Sequence, residues 1–213
     1  MYPLIKKDFL VQKKTLALSL AVMVLFVFSF TGLGSAGLVI SVLAVTYMFV
    51  LSAGAYEEKN NCDVLLVSLP IRKETIVLSK YASVYVFAAF GLLFNLVLSL
   101  LGELVPGGKY GFPITADILF VLFVLLTLTF SISFPLMFKL GYAKSRVANF
   151  FLYFAFIFGV NVLADRFTAD PAALQFFAER PDWEWMALLI VPTIVLLIVS
   201  YFLSLRFYKN REF

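Results

Sequence analysis

The chain has no histidine and a single cysteine, Cys62, in 213 residues. The missing histidine removes the commonest general base and metal ligand from any catalytic scheme. A lone cysteine cannot form a disulfide within the chain, and it leaves the redox compartment unread. Charge is scarce: 14% of residues are Asp, Glu, Lys or Arg, against about 25% in a typical soluble domain. A phosphate-cradling glycine loop is missing too, since Pro106-Gly107-Gly108-Lys109 is too short to serve as one. Any use of ATP must therefore come from another chain.

What the sequence has is apolar bulk. Hydrophobic residues make up 62% of it, with 25 Phe, 10 Tyr and 2 Trp, and the mean hydropathy is +0.99. A core of this size cannot absorb so much apolar side chain, because a small domain still exposes much of its surface. The excess must face lipid. The expected fold class is all-α, a polytopic membrane protein forming one transmembrane domain over 1–213.

Six apolar stretches support that reading: Thr15–Leu33, Ala36–Tyr56, Tyr81–Leu101, Ile118–Phe138, Val147–Ala164 and Met186–Leu205. Each approaches the ~20 residues a helix needs to cross ~30 Å of hydrocarbon, and none holds a charged residue. The first is not read as a cleavable signal peptide, because a second full-length stretch follows almost at once. The turn at Gly32-Leu33-Gly34-Ser35 is so short that the first two spans should form an antiparallel hairpin.

Basic residues set the orientation. With the N-terminus inside, the cytoplasmic face receives Lys6, Lys7, Lys13, Lys14, Lys59, Arg72, Lys73 and Lys80. It also receives Lys139, Lys144, Arg146, Arg206, Lys209 and Arg211. Only Lys109, Arg166 and Arg180 of the 17 basic residues are left outside. The net charge of +4 thus reads as membrane orientation rather than nucleic-acid binding. Both termini are expected in the cytoplasm, and the chain is expected to be a multi-pass protein of the cell membrane. Asp170-Pro171 reads as the start of a short outside helix, and Trp183 and Trp185 suit an interfacial belt.

The spans carry little chemistry. Ala88, Gly91, Asn95 and Ser99 share one face of the third span, where small residues allow close helix approach and Asn can hydrogen-bond across the contact. Helix packing is the plainer reading of that face, and a substrate path the sharper one. Thr127, Thr129, Ser131 and Ser133 in the fourth span should bond back to their own helix, and Pro135 and Pro192 should kink the fourth and sixth. No Asp, Glu, Lys or Arg lies within a span, so ion-coupled transport lacks a carrier for its coupling charge. Phe150, Phe151, Tyr153, Phe154, Phe156 and Phe158 suit lipid or a greasy substrate. Glu57-Glu58 could be the paired carboxylates of an intramembrane protease, but no histidine exists to complete such a site. The pair reads either as a solvated helix end or as a contact with a partner.

The longest inside loop, Glu57 to Lys80, is the most distinctive segment. Asp63 to Leu69 reads as a short apolar helix flanked by charge and ended by Pro70. Such a helix must lie on the membrane or dock in a partner's groove.

This segment resembles the cytoplasmic loop of type-2 ATP-binding-cassette exporter permeases, small bacterial peptide and antibiotic exporters in particular. The resemblance rests on Glu57-Glu58, on Leu65-Leu66-Val67-Ser68-Leu69-Pro70, and on the run Arg72-Lys73-Glu74-Thr75-Ile76-Val77-Leu78-Ser79-Lys80, where Thr75 departs from the family pattern. It implies a bacterial permease that is not itself an enzyme and binds no cofactor directly, with ATP and Mg on a separate cytoplasmic ATPase. It implies a second permease chain, identical or not, and an amphipathic substrate such as a peptide, drug or lipid-like molecule. It also makes Asp63–Leu69 a coupling helix, with Leu65, Leu66 and Leu69 as anchors and Glu57, Glu58, Arg72 and Lys73 as rim charges. Two rival readings stay open: the substrate-capture subunit of an energy-coupling-factor importer, and a non-transport immunity or sensor protein.

Overall fold

A computed structural model describes residues 2–30, 34–60, 62, 71–103, 114–169 and 182–210. Among the described residues the regular elements are all helices: α1 (Tyr2–Val11), α2 (Lys13–Phe30), α3 (Ser35–Lys59), α4 (Lys73–Glu103), α5 (Ala116–Leu140), α6 (Tyr142–Ala169) and α7 (Asp182–Lys209).

Four stretches are long and apolar enough to cross a membrane: Ser35–Lys59, Lys73–Leu101, Ala116–Leu140 and Met186–Lys209. They contain the second, third, fourth and sixth expected spans. Within α2 the apolar helix is shorter, Leu16–Val27. The helix of the third span starts eight residues before Tyr81, so α4 carries two further turns, charged at both ends and with Ile76 and Val77 in the core. The expected outside helix near Asp170 and the coupling helix both fall outside the described residues.

Local signals explain the helix ends. Gly34 precedes α3 with φ 54°, and Gly141 follows α5 with φ 78°, a region in which glycine lacks the Cβ penalty. The amide of Gly141 bonds the Met137 carbonyl at 3.0 Å. Asn60 ends α3, its amide and side-chain Nδ2 both donating to the Tyr56 carbonyl.

The helix α3 is the hub, packing against α1, α2, α4, α5 and α6. Leu38, Val42, Val45 and Phe49 of α3 meet Val77, Val84 and Phe87 of α4 and Leu126, Phe130 and Phe134 of α5 in one core. The pairing of α2 with α3 agrees with the expected hairpin. By contrast, α7 packs most extensively on α5 and leaves Leu188, Val191, Val195, Val199 and Phe202 exposed. A face that apolar is compatible with acyl chains and unfavourable in water.

Pro135 leaves a specific mark on this packing. A proline inside a helix has no N–H for the carbonyl four residues earlier, which here is Ser131. The hydroxyl of Ser200 on α7 donates to that carbonyl at 2.6 Å. Its one proton is thereby committed, so Tyr81 of α4 donates to Ser200 Oγ at 2.6 Å, and Ser204 donates to the Tyr81 hydroxyl at 2.9 Å. A gap in the α5 ladder has become the link between three helices. Three of the four α5 hydroxyls bond back as expected, Thr127 to Phe123, Thr129 to Leu125 and Ser133 to Thr129, whereas the buried Ser131 hydroxyl does not and has no hydrogen-bond partner among the described residues.

Candidate functional site

Polar groups gather where α1 crosses the ends of α3 and α4. Leu4, Asp8 and Gln12 recur at four-residue spacing and are all buried, so the inward stripe of the N-terminal segment includes a carboxylate and an amide. Gln12 donates through Nε2 to the Phe49 carbonyl of α3 at 3.0 Å, which fixes the turn between α1 and α2. One turn earlier, Asp8 meets Lys80 of α4, with its two oxygens 3.1 and 3.0 Å from the ammonium.

Glu57, in the last turn of α3, completes the cluster. Its Oε1 accepts from Lys80 at 2.6 Å and from Lys7 at 2.6 Å, and Lys7 also lies 3.4 Å from Asp8. Two ammonium groups and two carboxylates thus balance. Side-chain exposure is 15% for Lys80, 14% for Glu57 and 2% for Asp8, so removing one member would strand its partners in a poorly hydrated place. Burial pushes the Asp8 carboxyl above its ordinary value, with Lys80 pulling it back and Glu57 adding to the rise.

Adjacent helical positions point in different directions, and the acidic pair divides accordingly. Glu57 turns inward to the lysines, while Glu58 is exposed. The reading of the pair as one solvated helix end is therefore replaced for Glu57, which is engaged within the chain. The loop that these residues open returns at Arg72, which is exposed, and Lys73, which is half-buried. There Lys73 Nζ approaches the Lys209 carbonyl at 3.4 Å and Lys209 pairs with Glu74 at 2.9 Å, so the loop's return is docked on the end of α7. Asp63, Leu65, Leu66, Leu69 and Pro70 lie outside the described residues.

A cavity opens beside the cluster. Asp8, Glu57, Glu58, Lys80 and Ser83 provide its polar edge. Phe87, Phe134, Met137, Phe138, Tyr142 and Tyr208 provide its apolar wall. Gly54 sets one side: a Cβ there would stand 2.6 Å from Tyr142 Cδ2 and 3.1 Å from Met137 Cε. A side chain at position 54 would push the Tyr142 ring from its place, so the junction of α5 and α6 closes on α3 only at a glycine.

The small-residue face of α4 lies elsewhere. Gly91 faces Val42 of α3 at ordinary contact distance, Asn95 is fully buried and Ser99 is half-buried. The structure thus separates these three from the charged cluster. Among the described residues no group of three or more His, Cys, Asp or Glu is placed to hold a metal ion.

Sequence reasoning singled out Glu57 and missed Lys7, Asp8 and Lys80 as its partners. The signal was present for one of them: Asp8 is the sole acidic residue before Glu57, on an otherwise basic segment. In the sequence Lys80 reads as an orientation charge and as the end of the Arg72–Lys80 run, and no local pattern marks it as a partner of Glu57 or Asp8.

A family model described as "ABC-2 family transporter protein" matches residues 3–209. Comparison with curated proteins and with solved structures returns no match.

Proposed function

The chain belongs to the ABC-2 family of transporter proteins, and we propose that it is the membrane subunit of an ATP-driven exporter whose ATPase is a separate chain. Membership makes it a multi-pass membrane permease, a class that normally works with an ATPase partner. Export of an amphipathic substrate, a peptide, drug or lipid-like molecule, goes beyond membership and follows from the loop resemblance.

In this reading α2 and α6 add two spans to the four long apolar ones, and both termini face the cytoplasm. The support for α6 is its length of 28 residues with Phe150, Phe151, Phe154 and Phe158 exposed. The support for orientation is the basic-residue bias. A second permease chain, identical or different, would complete the transporter, with the first and fifth spans meeting between the two.

The observation that carries the coupling proposal is the Lys80–Glu57 contact of 2.6 Å. It joins the two ends of the charged loop and, through Asp8 and Lys7, ties them to α1. A force on Asp63–Leu69 would then reach three helices through one joint. Leu65, Leu66 and Leu69 would anchor in a groove of the ATPase, and Glu58, Arg72 and Lys73 would form the rim, while Glu57 stays within the chain. Helix-in-groove contacts draw most of their energy from a few buried apolar side chains.

The test is Leu69→Asp. A charge buried without a partner costs about 2 kcal/mol or more, so the variant should insert and fold yet lose co-purification with its ATPase. Rim substitutions should weaken the complex less and in a salt-dependent way. An intact complex with normal transport in Leu69→Asp would end the coupling reading.

A further inference from the structure

Two cations stand at one end of the seam between α5 and α7. Lys139 lies in the last turn of α5 and Arg206 in the last turn of α7. These two helices pack extensively on each other, and Lys139 Nζ sits over the Phe207 ring, 5.5 Å from its centroid. The contact that closes the seam thus brings Lys139 beside the residue that follows Arg206. Both cations are exposed, and neither has a carboxylate partner among the described residues. The acidic residues of the two helices lie at their far ends, Asp117 on α5 and Asp182 and Glu184 on α7. Glu74 of α4 is engaged by Lys209. Each helix end contributes about half a negative charge of its own, less than the full positive charge each side chain brings. The foot of the seam is therefore net positive.

Each cation also ends an exposed apolar face on its own helix. Residues three or four apart share a helix face. On α7, Leu188, Val191, Val195, Val199 and Phe202 run at that spacing into Arg206, and all five are exposed. On α5 the exposed Ile132 lies two turns before Lys139. From Val195 to Arg206 the helix rises about 16 Å, and one leaflet of hydrocarbon is about 15 Å deep. An occupant that matches the whole surface needs an anionic head joined in line to an apolar tail. A free phosphate offers the head alone. An acidic protein in the water would meet the cations but not the stripe.

We infer that the seam binds an anionic phospholipid, its phosphate held by Lys139 and Arg206 and its acyl chain laid along α7 from Phe202 to Val195. The planar guanidinium suits two phosphate oxygens at once, and a lysine at a helix end can reach the headgroup while its stem stays against apolar surface. The inference goes beyond the permease reading and needs only that these helices span a membrane.

Native mass spectrometry tests this. The full chain, delipidated in mild detergent, is offered phosphatidylglycerol and phosphatidylcholine with the same acyl chains at equal mole fraction. Phosphatidylglycerol should be retained saturably and preferred by about tenfold, and glycerol 3-phosphate at the same concentration should not compete. Lys139→Gln and Arg206→Gln should each weaken its retention by about fivefold, and the double variant by about tenfold or more. Arg206→Lys should keep most of it. Both side chains are exposed, so these variants should melt as the parent does. Lys59→Gln, which removes an exposed cation at the end of α3, should leave retention unchanged. Equal retention of the two lipids, competition by glycerol 3-phosphate, or as large a loss in Lys59→Gln overturns the inference. An unchanged lipid preference in the double variant does so too; if that variant instead loses its ATPase, the two cations serve a protein partner.

Discussion

Lys80 Nζ and Glu57 Oε1 stand 2.6 Å apart, so the charged loop between α3 and α4 is closed at its neck by its own first and last charges. Lys80 also serves Asp8, which draws α1 into the same joint. One ammonium thus organises three helices, and its loss should exceed the loss of any single carboxylate.

Lys80→Met should lower stability by about 3–5 kcal/mol, because it leaves two carboxylates short of a cation in a poorly hydrated site. Glu57→Gln should cost less, since Lys80 keeps Asp8 and Lys7 retains partial hydration. Thermal unfolding in mild detergent ranks the two variants; a larger loss in Glu57→Gln would contradict the assignment of Lys80 as the hub.

The Ser200–Ser131 bond exists because Pro135 supplies no N–H. Ser200→Ala should cost about 1–3 kcal/mol, because it orphans the buried Ser131 carbonyl and leaves the Tyr81 O–H without its acceptor. Adding Pro135→Ala restores an amide to the Ser131 carbonyl, so the double variant should recover part of that loss. A double-mutant cycle reads the coupling; strictly additive effects would show that the carbonyl is satisfied in some other way.

Gly54→Ala should destabilise by about 1–3 kcal/mol, the usual penalty for overpacking, because the new Cβ meets the Tyr142 ring at 2.6 Å. Combining it with Tyr142→Leu, which withdraws the ring, should return some of that stability. An unaltered melting temperature in Gly54→Ala alone would mean that α3 and the α5–α6 junction are not in close contact.

Membrane orientation is open to direct labelling. In a Cys62→Ser background, single cysteines at positions 107 and 170 should react with an impermeant maleimide from outside. Those at 60 and 210 should react only after permeabilisation. Outside labelling at 60 would invert the topology and remove the loop from reach of a cytoplasmic ATPase.

The class of the molecule was legible in the residues alone, because hydrocarbon tolerates only apolar helices and the apolar runs are long enough to be such helices. Composition and spacing also marked Glu57 as the start of a special loop and anticipated the back-bonding of Thr127, Thr129 and Ser133, since both depend on neighbours a turn away. Distant partnership was not legible. Lys80 looks like any orientation charge until α4 is seen to extend two turns past its apolar stretch and to place that ammonium between Asp8 and Glu57. The acidic pair gave no sign of its division, which depends on the face α3 turns toward α1. Pro135 announced a kink, but the hydroxyl that fills its missing bond lies 69 residues from its acceptor. Such contacts depend on how helices far apart in the chain are rotated and staggered against one another, and no local pattern records that choice.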